Sequence, residues 1–284
     1  MLGLARSVLA LSLLAAVVVA PACGGARGGA AGVGNVGAST LTLAPATVQV
    51  GDRRTKVDSL TTRFTVTSDG QQVPIESNET STETAEVLAV DAAGAPTKLR
   101  ITYTTKVATQ AVAGQVDVAP QPLEGRTYVV WVEAGVVRAT SGDGEPVTEA
   151  ELAALADDHE TLGRPAAMER ILAGRTWRLG ERYSLTEAEL AEYNELKRTA
   201  SGQHASAMAL TLTGFDDQLA TFEMEVTLRT AKGGAALTIS MTGPVRIERA
   251  RTRPLEITMT GTLEGVTQGL PAVGTVEGHT TFAY

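Results

Sequence analysis

Cysteine is nearly absent: Cys23 stands alone among 284 residues. A disulfide within the chain is therefore excluded, and so is a zinc or iron–sulfur site built on its own thiolates. Aromatic residues are scarce at 4%, which counts against the aromatic platforms that carbohydrate sites use. Positive charge is in deficit, with 24 Lys and Arg against 32 Asp and Glu and a net charge of −8. An acidic chain does not suit a nucleic-acid partner, which needs a basic surface. No heptads and no fixed-period repeat occur. The common nucleophile signatures G-x-S-x-G and S-x-x-K are missing as well. What remains is ordinary globular composition, 43% apolar and 20% charged, enough to bury a core.

The N-terminus carries the strongest signal. Arg6 supplies a positive start, and residues 8–20 are apolar except for Ser12. That run suits an export signal and is short for a membrane-spanning helix, which needs about 20 residues. Ala20-Pro21-Ala22-Cys23-Gly24 resembles the lipobox of bacterial lipoproteins, with Ala20 and Pro21 where that pattern commonly differs. The resemblance implies cleavage between Ala22 and Cys23 and acylation of Cys23. Ala20-Pro21-Ala22 also fits an ordinary signal-peptidase site, cut at the same bond. Residues 24–39 hold seven Gly and four Ala. Such a stretch behaves as a flexible tether with a reach of roughly 20–24 Å. By the sorting rule of enteric lipoproteins, the resemblance with Gly24 rather than Asp after the cysteine implies an outer-membrane location facing the periplasm.

The expected organisation is a signal peptide over 1–22, a lipid-anchored tether over 23–39, and one domain over 40–284 with a helical insert over 147–198. Phe222, Met224, Val226 and Leu228 alternate with Thr221, Glu223, Glu225 and Thr227, the period of a half-buried strand. Leu99, Ile101 and Tyr103 repeat the pattern. So do Leu237, Ile239 and Met241, and again Leu255, Ile257 and Met259. Turns are expected at Ala134-Gly135, Asp216-Asp217, Gly233-Gly234, Gly243-Pro244 and Arg253-Pro254. Thr148 with Glu151 and Thr186 with Glu189 form capping boxes for two helices. Pro165 and Gly174 bracket a third, holding Met168, Ile171 and Leu172. The fold class expected is α+β: a curved antiparallel sheet, half-barrel-like, with the helical insert packed on its apolar face. That architecture, with the lipobox, resembles the LolA/LolB-type half-barrel lipoproteins of the bacterial envelope.

Candidate chemistry is thin. His159 lies in Asp157-Asp158-His159-Glu160, expected as a solvated acidic helix end because helical metal pairs need spacing of three or four. His204 and His279 have no partner nearby in sequence. Tyr193 and Lys197 match a dehydrogenase spacing outside any dinucleotide fold, and the glycine run over 24–37 follows no strand and precedes no P-loop lysine. Trp131 and Trp177 are expected as core anchors. No catalytic, cofactor or metal site is expected. The sequence points to a non-enzymatic envelope lipoprotein, anchored in the membrane through acyl groups, with an apolar ligand or lipid in the half-barrel. The alternatives are a structural or protein-interaction module with an envelope partner, and a secreted hydrolase using two carboxylates with opposed pKa shifts.

Overall fold

A computed structural model describes residues 39–119, 121–196, 202–232 and 234–284. Ala22, Cys23, the signal, nearly all of the tether and Lys197 lie outside the described residues. Among those described, no helix is long and apolar enough to cross a membrane.

The chain opens with β1 (Thr40–Thr42), β2 (Arg53–Ser68), β3 (Gln71–Val90), β4 (Pro96–Val112) and β5 (Gln115–Ala119), then β6 (Thr127–Glu133) and β7 (Val136–Ser141). The insert follows as helices α1 (Glu149–Asp158) and α2 (Ala167–Leu172), strands β8 (Thr176–Arg178) and β9 (Arg182–Ser184), and helix α3 (Glu187–Leu196). A second run completes the domain: β10 (Gln203–Phe215), β11 (Leu219–Lys232), β12 (Ala235–Glu248), β13 (Arg253–Thr267) and β14 (Leu270–Ala283). The order across the sheet is β7-β6-β4-β3-β2-β14-β13-β12-β11-β10-β9, with β5 paired to β4, twelve strands in all. Every pairing is antiparallel. The chain thus starts mid-sheet at β2, walks to the β7 edge, crosses one face through the insert, and returns from the β9 edge to close β14 onto β2. The sheet is curved and open. The expected fold class is the observed one.

Period-two alternation sets the two faces. The row Phe64, Gly274, Leu263, Ile239 and Leu228 runs straight across β2, β14, β13, β12 and β11, and its side chains are buried. The insert covers that same inner face. Met168, Ile171, Leu172 and Trp177 join the core of β10 to β13. Leu155 and Leu162 join a second core on β3, β4 and β6 with Tyr103 and Tyr128. Helix starts follow the capping boxes. The Thr148 hydroxyl accepts from the Glu151 N–H at 3.2 Å, and Thr186 accepts from Glu189 at 3.3 Å.

The strands are long, 20 residues in β3 and 16 in β2, beyond the usual 3–10. Curvature accommodates them. The β3–β4 ladder shifts register at Thr82/Glu83, and a Cβ on Gly261 would run into the Ser240 carbonyl of the neighbouring strand. Such bare positions let strands approach closely on a crowded concave face.

Two expected turns are strand. Gly243 and Pro244 lie inside β12, where Pro244 opposes Glu223 of β11 and the ladder to β13 skips from Thr242 to Val245. A proline is tolerated where the partner ladder is interrupted. Arg253 and Pro254 begin β13, the turn falling just before them at Thr252 with φ 51°. Ala134-Gly135 does turn, both residues at positive φ, as a two-residue hairpin requires. Trp177 is a core residue, 3% exposed. Trp131 is half-buried instead, beside the Lys98 ammonium 5.8 Å from its ring.

Candidate functional site

The inner face is not apolar throughout. Following the phase of Phe64 and Val66 back along β2, the inward positions are Thr62, Leu60, Asp58, Lys56 and Arg54. On β3 the matching positions are Ile75, Ser77, Glu79, Ser81 and Glu83. Register sets these side by side: Lys56 opposite Glu83, Asp58 opposite Ser81, and Leu60 opposite Glu79. Lys106 of β4 lies opposite Ser81. A charged belt therefore crosses β2, β3 and β4 between the two apolar clusters.

The belt is paired across strands and to the insert. The Arg54 Nη2 donates to Glu83 Oε1 at 3.0 Å, with both side chains under a tenth exposed. Lys56 Nζ stands 3.8 Å from Asp58 Oδ2, and Asp58 also accepts from the Thr280 hydroxyl of β14. Lys106 Nζ donates to both oxygens of Asp158, at 2.8 and 2.6 Å. The Tyr103 hydroxyl donates to Asp158 Oδ2 at 2.8 Å and lies 2.8 Å from His159 Nε2. Asp158 ends α1, where a negative charge opposes the helix dipole. The Lys106 ammonium compensates that placement. His159 is thus buried, 8% exposed, which corrects the expectation of a solvated helix end. The signal missed was on the sheet: α1 docks its last turn on charged partners, and none of them is adjacent in sequence.

Burial and charge pull the titrations apart. Burial alone would push the Glu83 carboxyl up, but Lys56, with Arg54 and Lys106, holds it down at about 2. Glu79 goes the other way. Burial raises its pKa, Lys106 offsets part of that, and Asp158 and Asp58 add to the rise. Burial lowers the His159 pKa, against the pull of Glu83 and Asp158. Burial also drives the Tyr103 phenol well above its ordinary value, reinforced by Asp158.

Glu79 and Glu83 carry the opposed shifts that carboxylate acid–base chemistry uses. They sit four residues apart on one strand, roughly 13 Å along its axis, wider than the carboxyl pairs of glycoside hydrolysis. Ser81 and Lys106 lie between them. Elsewhere, Glu151 accepts from Tyr128 at 2.7 Å and from Thr148 at 2.7 Å, and Glu189 accepts from Tyr183 at 2.7 Å. These two carboxylates are helix caps fastened to the sheet. His279 faces Glu256 at 3.3 Å on the exposed side, and His204 is exposed. No group of three or more His, Cys, Asp and Glu suited to a metal ion occurs among the described residues.

No protein-family model matches the sequence, and no curated protein matches it. Among solved structures it is similar to one of lipovitellin concerned with lipid–protein interactions in that protein, at 6% identity and a TM-score of 0.45. The match covers 83% of this chain and 25% of that one, so the chain spans about a quarter of lipovitellin's length.

Proposed function

We propose that this chain is a lipid-anchored lipoprotein of the cell envelope. In this reading it holds an apolar or amphipathic ligand against the inner face of its open sheet and does not transform it. One observation carries the ligand reading. Between the two buried clusters, the inner face is lined by half-buried residues: Ser77 and Glu79 on β3, Leu60 on β2, and Ala108 and Gln110 on β4. A sheet face sealed by its own helices would bury them. An open concave strip bounded by Phe64 and Ile75 on one side and by the charged belt on the other suits an amphipathic molecule. The anchoring part rests on Cys23, the sole cysteine, in its lipobox-like setting, and on the glycine-rich stretch that ends where β1 begins. Gly24 after the cysteine supports an outer-membrane location facing the periplasm in this reading. The test is the intact mass of the chain made with its own signal in a Gram-negative host. The expected mass is that of residues 23–284 plus acyl groups, with lipid in the extract. A bare 23–284 mass contradicts the anchor.

A second reading has its own observation. Among the described residues β5 pairs only with β4, and it exposes Val116 at 69% and Val118 at 61%. An edge strand with exposed apolar residues suits strand addition by an envelope protein. Val116→Lys would then abolish partner capture and leave the lipid content unchanged.

A further inference from the structure

The charged belt carries more information than the presence of a ligand. Three of its cations each face a carboxylate: Arg54 faces Glu83, Lys56 faces Asp58, and Lys106 faces Asp158. Glu79 is the fourth carboxylate of the group. Among the described residues no side-chain hydrogen bond or ion pair reaches its carboxylate, and its charged neighbours Lys106 and Lys56 are engaged with Asp158 and Asp58. It is half-buried on the open strip. With all four carboxylates ionised the belt holds one negative charge in excess.

We infer that Glu79 receives the ammonium head of an amphipathic amine lying on the inner face of the sheet. This rests on the ligand reading above and adds the chemistry of the head group. An anionic head brought to the strip meets an unmatched carboxylate. A primary ammonium brings N–H donors and a positive charge within bonding reach of Glu79, where Lys106 and Lys56 act only as neighbours engaged elsewhere. The floor beside Glu79 suits the first methylenes of the same molecule. Its cross-strand neighbours are Ala108 on one side and Leu60 on the other, and Gly278 lies next to Leu60. A Cβ on Gly278 would meet nothing nearer than the Leu60 Cδ1 at 3.6 Å, so the floor is low there. The raised pKa of Glu79 agrees with this role, because an ammonium ligand restores the ionised form that burial disfavours. Two sources share this chemistry, an aminophospholipid and a free long-chain amine.

The test is native mass spectrometry of the full chain in detergent, given phosphatidylethanolamine, phosphatidylcholine, phosphatidylglycerol and dodecylamine in separate titrations. The expected result is retention of phosphatidylethanolamine or dodecylamine, whichever is the source, over phosphatidylglycerol. Phosphatidylcholine, whose quaternary head has no N–H, binds more weakly than phosphatidylethanolamine. Glu79→Gln, isosteric and neutral, lowers amine retention about tenfold or more with the melting temperature held. Glu79→Lys turns the preference toward phosphatidylglycerol. Equal retention of phosphatidylglycerol and phosphatidylethanolamine by the wild type overturns the head-group inference and leaves the ligand reading standing, as does Glu79→Gln with unchanged retention. Absence of any retained lipid or amine overturns both.

Discussion

Lys106 and Asp158 stand 52 residues apart in the chain and meet at 2.6 Å. The contact ties the middle of β4 to the last turn of α1 and so fixes how the insert lies on the sheet. It also joins the charged belt of β2 and β3 to Tyr103 and His159. The insert is therefore held at this point by charge and hydrogen bonds as well as by the apolar contacts of Leu155.

Removing one partner of this contact is expected to cost more than removing both. Lys106→Met leaves Asp158 at a helix C-terminus with only the Tyr103 hydroxyl, and a loss of about 2–3 kcal/mol is expected from partly buried pairs. The double variant Lys106→Met with Asp158→Leu recovers part of it. Urea denaturation of the four proteins of the cycle gives the coupling energy. Additive losses would mean that the contact contributes nothing to the docking of α1.

Tyr103→Phe deletes one hydroxyl that donates to Asp158 and is hydrogen-bonded to the His159 ring. The expected loss is about 1–2 kcal/mol, since Asp158 and His159 both lose a buried partner. Tyr128→Phe removes the hydroxyl bond to Glu151 near the start of α1 and is expected to destabilise to a similar extent. Melting temperatures compare the two.

His159 and Glu83 each take stability away as the medium is acidified, while Glu79, whose pKa burial raises, works in the opposite sense above pH 4.5. The folded-state pKa of His159 is lowered from 6.5, so below that value the unfolded chain takes up a proton that the folded chain refuses. That contribution is present above pH 6.5 and is lost as pH falls. The Glu83 pKa is lowered from 4.5 to about 2, so its contribution is present above pH 4.5 and is lost between there and about 2. The second step is on the order of 3 kcal/mol. Denaturation midpoints measured from pH 8 to pH 3 follow both, and His159→Gln removes the upper step. The same change from pH 7 to 5 in the wild type and in His159→Gln contradicts the assignment.

Gly261→Ala is expected to be severely destabilising, by about 3 kcal/mol or more, because the added methyl meets the Ser240 carbonyl and Met241 of the adjacent strand. Gly278→Ala is expected to cost under about 0.5 kcal/mol, because the same methyl there meets the far end of Leu60 at 3.6 Å and the Ser59 carbonyl at 4.0 Å, both ordinary contacts. Soluble yield and thermal melts separate the two. Equal effects would argue that the curvature does not depend on close strand approach at Gly261.

Much of the fold is legible in the residues, and the failures have physical causes. Phe222, Met224, Val226 and Leu228 announce β11 because one face is apolar and the other polar. Thr148 and Glu151 announce α1 through a local bond pattern. Gly243-Pro244 reads as a turn because glycine and proline usually punctuate. Here the concave face needs a bare position, and the ladder to β13 is already broken beside the proline. The charged belt was hidden for a related reason. In β2 the inward residues are Lys56 and Asp58 while Val57 is 47% exposed, the reverse of the ordinary pattern. Extending the two-residue phase of Phe64 and Val66 backward would have found Arg54, Lys56 and Asp58. Nothing in sequence spacing brings Asp158 and His159 to them, since that contact depends on where the insert crosses the sheet.

The proposed ligand lies on the inner face of the sheet, between the two apolar clusters. This placement is tested most directly by photo-cross-linking a diazirine-bearing phospholipid to the full chain and mapping the labelled peptides. Labels are expected on 58–62 of β2 and 75–81 of β3, competed away by unlabelled lipid. Labels confined to the segment before β1 or to the exposed side of the sheet, such as Val273 and its neighbours, would contradict it.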